Sequence, residues 1–163
     1  MRKLIQFSAI QLALRAGIAA GLAAWIATRL ALEHPLYAFI AAVIVTDLDA
    51  AHSRKLGLRR IFATAIGGIC GAALSQLLGP GTGAVGVAVF VAMVVGSLLG
   101  AGEGTRVAGF ICGIVVLEHS ADPWLYGAQR FAETALGVVV AWGISFLPRL
   151  VNADQNQDTA PPG

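Results

Sequence analysis

Residues 60–67 read RIFATAIG, and residues 130–137 read RFAETALG. Both are R-x-x-x-T-x-x-G, and every matched position is offset by 70. The runs ahead of them also align, with one residue of slip: FIAAVIVTD (Phe39–Asp47) against FICGIVVLE (Phe110–Glu118). Each ends in a carboxylate. Two matches in the same order point to a duplicated unit.

The composition says what kind of unit this is. The chain has 163 residues, of which 57% are hydrophobic and 12% charged, and its mean hydropathy is +0.77. A soluble domain keeps about a quarter of its residues charged, so a globular enzyme is disfavoured. The apolar residues lie in blocks at about Leu12–Leu32, Leu36–Val45, Ile61–Leu78, Gly83–Leu99, Val107–Leu117 and Phe131–Leu147. The pattern predicts an all-α membrane protein with six transmembrane helices in one domain, 1–150. Repeat one covers about 12–79 and repeat two about 83–149. Each repeat holds three crossings, an odd number, so the two copies enter the bilayer from opposite sides and form an inverted repeat. The second span of each repeat is short, with ten and eleven apolar residues. At about 1.5 Å per residue such a run crosses only half of a roughly 30 Å core. Paired short spans mark the binding region of many transporters. The plainer alternative is a helix that continues into its charged flanks.

Placing the N-terminus in the cytoplasm puts nine basic residues inside (Arg2, Lys3, Arg15, Arg54, Lys55, Arg59, Arg60, Arg106 and Arg149). It leaves two, Arg29 and Arg130, outside. This bias predicts a multi-pass protein of the cell's plasma or inner membrane with both termini cytoplasmic. Tyr37, Trp124 and Tyr126 then fall near the outer face, as an interfacial aromatic belt. The tail 151–163 reads as a disordered polar cytoplasmic segment. The start of the chain has a basic end but no clear cleavage site, so it reads as a retained first helix. Net charge +2 carries no nucleic-acid signal, because the basic residues set topology. Cys70 and Cys112 lack ligand spacing and read as small buried hydrophobes; neither a cofactor nor a metal is expected.

Arg60 opens the third span and Arg130 the sixth. Thr64 and Thr134 follow one turn on, and Gly67 and Gly137 a further turn on the same stripe. A planar guanidinium, a hydroxyl and a bare backbone patch are suited to holding a carboxylate. The alternative is an interfacial arginine that snorkels to headgroups; that reading suits Arg54, Lys55 and Arg59. Glu133 lies inside an apolar run, where an isolated carboxylate is costly and must be paired, protonated or in a polar cavity. It either pairs with Arg130 at i, i+3 or carries protons. Asp47 and Glu118, at the ends of the short spans, are candidates for the same coupling role. His119 reads as a solvated edge residue. Asp47, Asp49 and His52 hint at a metal, but no catalytic motif accompanies them, so an enzyme is not expected. Gly17–Gly21 and Gly67–Gly71 are small-residue steps that permit close helix contact.

Three stretches carry a resemblance: LRAGIAAGLAAWIA (14–27), GLRRIFATAIGG (57–68) and YGAQRFAETALG (126–137). Over about Ala13 to Pro148 the chain resembles the membrane domain of the fusaric acid resistance protein-like superfamily, which includes the aromatic acid exporters. It is also similar to the membrane part of plant aluminium-activated malate transporters. The resemblance implies six-helix units that export organic, often aromatic, carboxylate anions, and a homodimer. The arginine-threonine-glycine signature falls on Arg60, Thr64 and Gly67, and the arginine-glutamate-threonine signature on Arg130, Glu133 and Thr134. Relatives commonly place glycine where this chain has Ala63, and they often carry a cytoplasmic domain that does not follow Pro148 here. A passive anion channel of the same fold and a non-transporting membrane scaffold or regulatory subunit are the rival expectations. The partners expected are the lipid bilayer, a small organic anion and a second copy of the chain.

Overall fold

The computed structural model describes residues 2–79, 82–118 and 122–147, with side chains from residue 8 onward. They form six helices: α1 Arg2–Arg29, α2 Pro35–Val45, α3 Ala50–Leu78, α4 Thr82–Leu98, α5 Gly104–Leu117 and α6 Pro123–Ser145. The tail 151–163 and His119 lie outside the described residues. Local chemistry sets the starts. Pro35 and Pro123 open α2 and α6, where a missing N–H costs nothing. The Asp122 carboxylate accepts from the N–H groups of Trp124 and Leu125, and Asp49 accepts from Ala51, which caps α6 and α3.

The short second helix of each half is present, with 11 residues in α2 and 14 in α5. Three helices start well ahead of their apolar blocks. α1 starts at Arg2 and not near Leu12. α3 starts at Ala50, so the charged stretch 50–60 is helix and Arg60 sits well inside it. α6 starts at Pro123, which places Arg130 two turns in. Apolar blocks mark where a helix is greasy, whereas caps decide where it begins. Two helical segments, Ser8–Arg29 and Ala50–Leu78, are long and apolar enough to cross a bilayer. α6 has 23 residues but carries Gln129, Arg130 and Glu133 in its middle.

The packing obeys an exchange rule. α2 packs on α1 and α6, while α5 packs on α4 and α3. α1 also touches α6 where α4 touches α3, and α2 grazes α3 where α5 grazes α6. Swapping α1 with α4, α2 with α5 and α3 with α6 leaves this set of neighbours unchanged. Each short helix therefore lies against the long third helix of the other half. The match extends to residues. A Cβ on Gly67 would meet the Ala108 carbonyl oxygen at 2.5 Å, and one on Gly137 would run into that of Ala38, 70 residues earlier. One turn on, Gly71 faces Val115, while Ala141 clusters with Val45.

α3 and α6 cross at the centre. Gly57 faces Val138 and Trp142, and Gly68 faces Gly127. Numbers rise along α3 as they fall along α6, so the two helices run antiparallel. Shifting Gly57 and Val138 by 70 in opposite senses gives Gly127 and Gly68, a reciprocal contact of the kind a two-fold axis produces.

Candidate functional site

Arg130 is enclosed. Its guanidinium carbon lies 4.0 Å from the centre of the Tyr37 ring and 4.7 Å from that of Tyr126, one ring from α2 and one from α6. Nη2 donates to Glu133 Oε1 at 3.1 Å, lies 3.0 Å from Oε2, and meets His34 Nδ1 at 2.6 Å. A guanidinium has only donors, so Nδ1 accepts and the imidazole proton is on Nε2. Glu133 Oε1 also accepts from the backbone N–H of His34, the residue that caps α2, at 2.9 Å. Both Arg130 and Glu133 have no solvent exposure. A positive group at the N-terminus of α2 opposes the helix dipole; the Glu133 carboxylate, set between the two, offsets both. Of the two readings of Glu133, the structure displays the i, i+3 pair.

Arg60 stands at the matching place, against the start of α5, in different company. It is 7% exposed, makes no hydrogen bond or ion pair through its guanidinium among the described residues, and its Nε is buried without a partner. It lines a cleft of about 160 Å³ together with Ile44, Leu56, Val107 and Gly104. Arg59 and Glu103 form an exposed ion pair at 3.4 Å on the rim. A larger groove, about 330 Å³, runs between α3 and α6 beside Thr64, Gly68, Trp124, Gly127 and Phe131. No charged side chain lines it, so of these two a carboxylate is better matched to the smaller cleft.

The two arginines thus face opposite short helices. The other candidate residues divide accordingly. The Thr64 hydroxyl donates to the carbonyl of Arg60 at 2.9 Å, within its own helix. Thr134 is buried. The backbone patches at Gly67 and Gly137, read from the sequence as room for a ligand, are taken by the backbones of α5 and α2. Asp47 accepts from the N–H of Asp49 at 2.9 Å and lies 3.9 Å from His52 Nε2, in the α2–α3 turn. That turn is at the far end of α2 from Glu133. Glu118 is exposed at the end of α5, one turn beyond Val115, which packs on Tyr126. Glu133 and Glu118 therefore share one end of the molecule and Asp47 the other. Among the described residues no three His, Cys, Asp or Glu side chains gather as a metal site would require.

Four features escaped the sequence reading. Tyr37 and Tyr126, expected in an interfacial belt, are 8% and 5% exposed and sandwich Arg130; of the three expected belt residues only Trp124 is open. A face of a helix cannot be assigned from a single ring. His34 lies 96 residues from Arg130, and its one local signal is its place before Pro35. Arg15, counted as a topology charge, is 1% exposed and donates to the carbonyls of Leu48 and Leu147 at 3.3 and 2.6 Å. It ties α1 to the ends of α2 and α6, and its position inside an apolar run was the available clue. Ser53 donates to the Val45 carbonyl, accepts from Ser145, and offers its own carbonyl to Trp142, which closes the same end.

No curated protein and no solved structure matches this chain. A family model described as aromatic acid exporter family member 1 matches residues 10–147, from the first helix to the end of the last, both arginines included. The chain therefore belongs to the aromatic acid exporter family, a family of membrane transporters of aromatic acids.

Proposed function

We propose that the protein exports organic anions that carry a carboxylate on an aromatic ring, and that the Arg60 cleft binds them. The observation that supports this reading is the state of Arg60: buried, cationic and without an acid partner among the described residues. A largely buried cation without a counter-ion is costly, and a carboxylate bound in the cleft offsets that cost with a charge-assisted, planar contact. Ile44, Leu56 and Val107 supply the apolar wall. The volume, about 160 Å³, is close to that of an engineered cavity of about 150 Å³ that accepts one benzene ring. Arg130, stacked between two tyrosine rings and paired through Nη2 with Glu133, belongs to the frame.

The six helices act as two inverted three-helix units across the cell's plasma or inner membrane, with both termini cytoplasmic. The exchange of neighbours between halves, the antiparallel crossing of α3 and α6, and the basic bias of the sequence support this arrangement. Gly17 and Gly21 lie on the open side of α1 with nothing packed on them, which supports a homodimer built through that face. Glu133 is the group through which protons couple, if the pair with Arg130 opens during the cycle.

Flux of benzoate into liposomes containing the purified protein tests the reading. Wild type shows saturable uptake, and Arg60→Ala lowers it roughly ten- to hundred-fold, the worth of one charge-assisted hydrogen bond. Undiminished flux in a folded Arg60→Ala protein removes the arginine from the mechanism. Accumulation driven by a proton gradient identifies a coupled carrier, and loss of its pH dependence in Glu133→Gln identifies the coupling group. Dissipation alone identifies a passive channel, and absence of flux with a stoichiometric partner identifies a scaffold subunit.

A further inference from the structure

The two arginine sites are built on one plan and differ at a few positions. The matching contacts of Gly67 with Ala108 and Gly137 with Ala38 set an offset of 70 for the short helices too, in place of the one-residue slip of the sequence match; Arg130 then corresponds to Arg60, and His34 at the start of α2 to Gly104 at the start of α5. Tyr126 and Tyr37, which cover Arg130, correspond to Leu56 and Val107, which line the Arg60 cleft. Glu133, which accepts from the N–H of His34, corresponds to Ala63. The correspondence is spatial as well, because a Cβ on Gly104 would lie 3.1 Å from the Ala63 Cβ. Each arginine therefore stands at the start of the other half's short helix, Arg130 on His34 and Arg60 in one cleft with Gly104. In one half a carboxylate and two rings fill the space around it; in the other those groups are replaced by a methyl and two aliphatic side chains.

This comparison deepens the assignment of Arg60 as the anion site and rests on it. We infer that the carboxylate of the ligand occupies, beside Arg60, the place that the Glu133 carboxylate holds beside Arg130, and that each chain consequently takes one anion. The chain carries its own model of the bound state: the Arg130–Glu133 pair is a tethered ligand in one half. The aromatic ring of the free ligand takes the volume that the tyrosines fill at the other end. One difference sets the balance of forces. The N–H of Gly104 already donates to the Ala101 carbonyl at 2.9 Å, whereas that of His34 goes to Glu133. The ligand is therefore held by the guanidinium, and Glu103, which lines the same cleft, is paired with Arg59 on its exposed side.

Three proteins in detergent, probed with benzoate, test the inference. Equilibrium binding to wild type is expected to give one benzoate per chain. Ala63→Glu places a carboxylate three residues after Arg60, as Glu133 follows Arg130, and is expected to weaken benzoate binding at least ten-fold in protein that circular dichroism shows to be folded. Glu133→Ala frees Arg130, whose Nε and Nη1 hold no bond within the protein. It is expected to lose stability and to regain part of it in acetate or formate, but not in equal chloride. No binding to wild type, or two benzoates per chain, overturns the inference without recourse to any variant. Full benzoate affinity in a folded Ala63→Glu protein does so as well, and so does a Glu133→Ala protein indifferent to carboxylates. The transport reading fails separately: binding with no flux removes transport and keeps the site. Flux that Ala63→Glu leaves intact removes the site and keeps transport.

Discussion

Arg130 and Glu133 neutralise each other at zero exposure, with His34 and two tyrosine rings closing the shell. Breaking such a pair from one side leaves a buried uncompensated charge and costs about 3–5 kcal/mol, whereas replacing both partners by apolar groups is far less damaging. Arg130→Leu and Glu133→Leu are each expected to lower the thermal midpoint sharply. The Arg130→Leu/Glu133→Leu protein is expected to lose less than either single variant. Circular dichroism during heating in detergent measures all three, and a double variant worse than both singles contradicts the description of the pair. At this scale the sequence was informative about local partners. The spacing of Arg130 and Glu133 allows one helical pairing, and that is the pairing observed. Tyr126, four residues before Arg130 on the same helix, is a neighbour the spacing allowed; Tyr37 and His34 were not legible, because a contact such as that of His34 across 96 residues leaves no trace in the spacing of either partner. Asp47 and Asp49, suggestive of a metal, turned out to organise a turn and a helix cap.

Helix contacts in this fold depend on bare backbone. α5 lies with the Ala108 carbonyl against Gly67, and α2 with the Ala38 carbonyl against Gly137. Adding a methyl group at either place pushes backbone from backbone, a change that typically costs about 1–3 kcal/mol or more. Gly67→Ala and Gly137→Ala are therefore expected to lower stability by similar amounts. Gly143→Ala, on the open side of α6 with nothing within 4 Å, is expected to be neutral or to gain up to about 1 kcal/mol from helix propensity. Equal losses in all three contradict the packing. The recurrence of glycine after threonine in both copies was visible in the sequence, but its purpose was not: the same residue that admits a ligand also admits a helix. The short lengths of α2 and α5 were legible because apolar runs bounded by charge or turn residues have few alternatives. The early starts of α3 and α6 were not, because polar residues such as Arg54, Lys55 and Gln129 are as much at home in a solvated helical turn as in a loop.

At the scale of the molecule, a repeated octapeptide anticipated a set of helix neighbours that survives the exchange of its halves. The halves interlock, since each short helix is buried against the other half's long helix, and neither covers its arginine alone. Divergence then separates the ends: Arg130 is sealed with Glu133 and tyrosines, and Arg60 opens on a cleft. The orientation of the two halves is the claim on which the rest depends. Glu33 and Glu103 are exposed, 70 residues apart, and precede the two short helices. With Cys70 and Cys112 changed to alanine, Glu33→Cys and Glu103→Cys are labelled in sealed vesicles by a membrane-impermeant maleimide. Labelling of the two cysteines from opposite faces is the predicted result, and labelling of both from the same face contradicts the account.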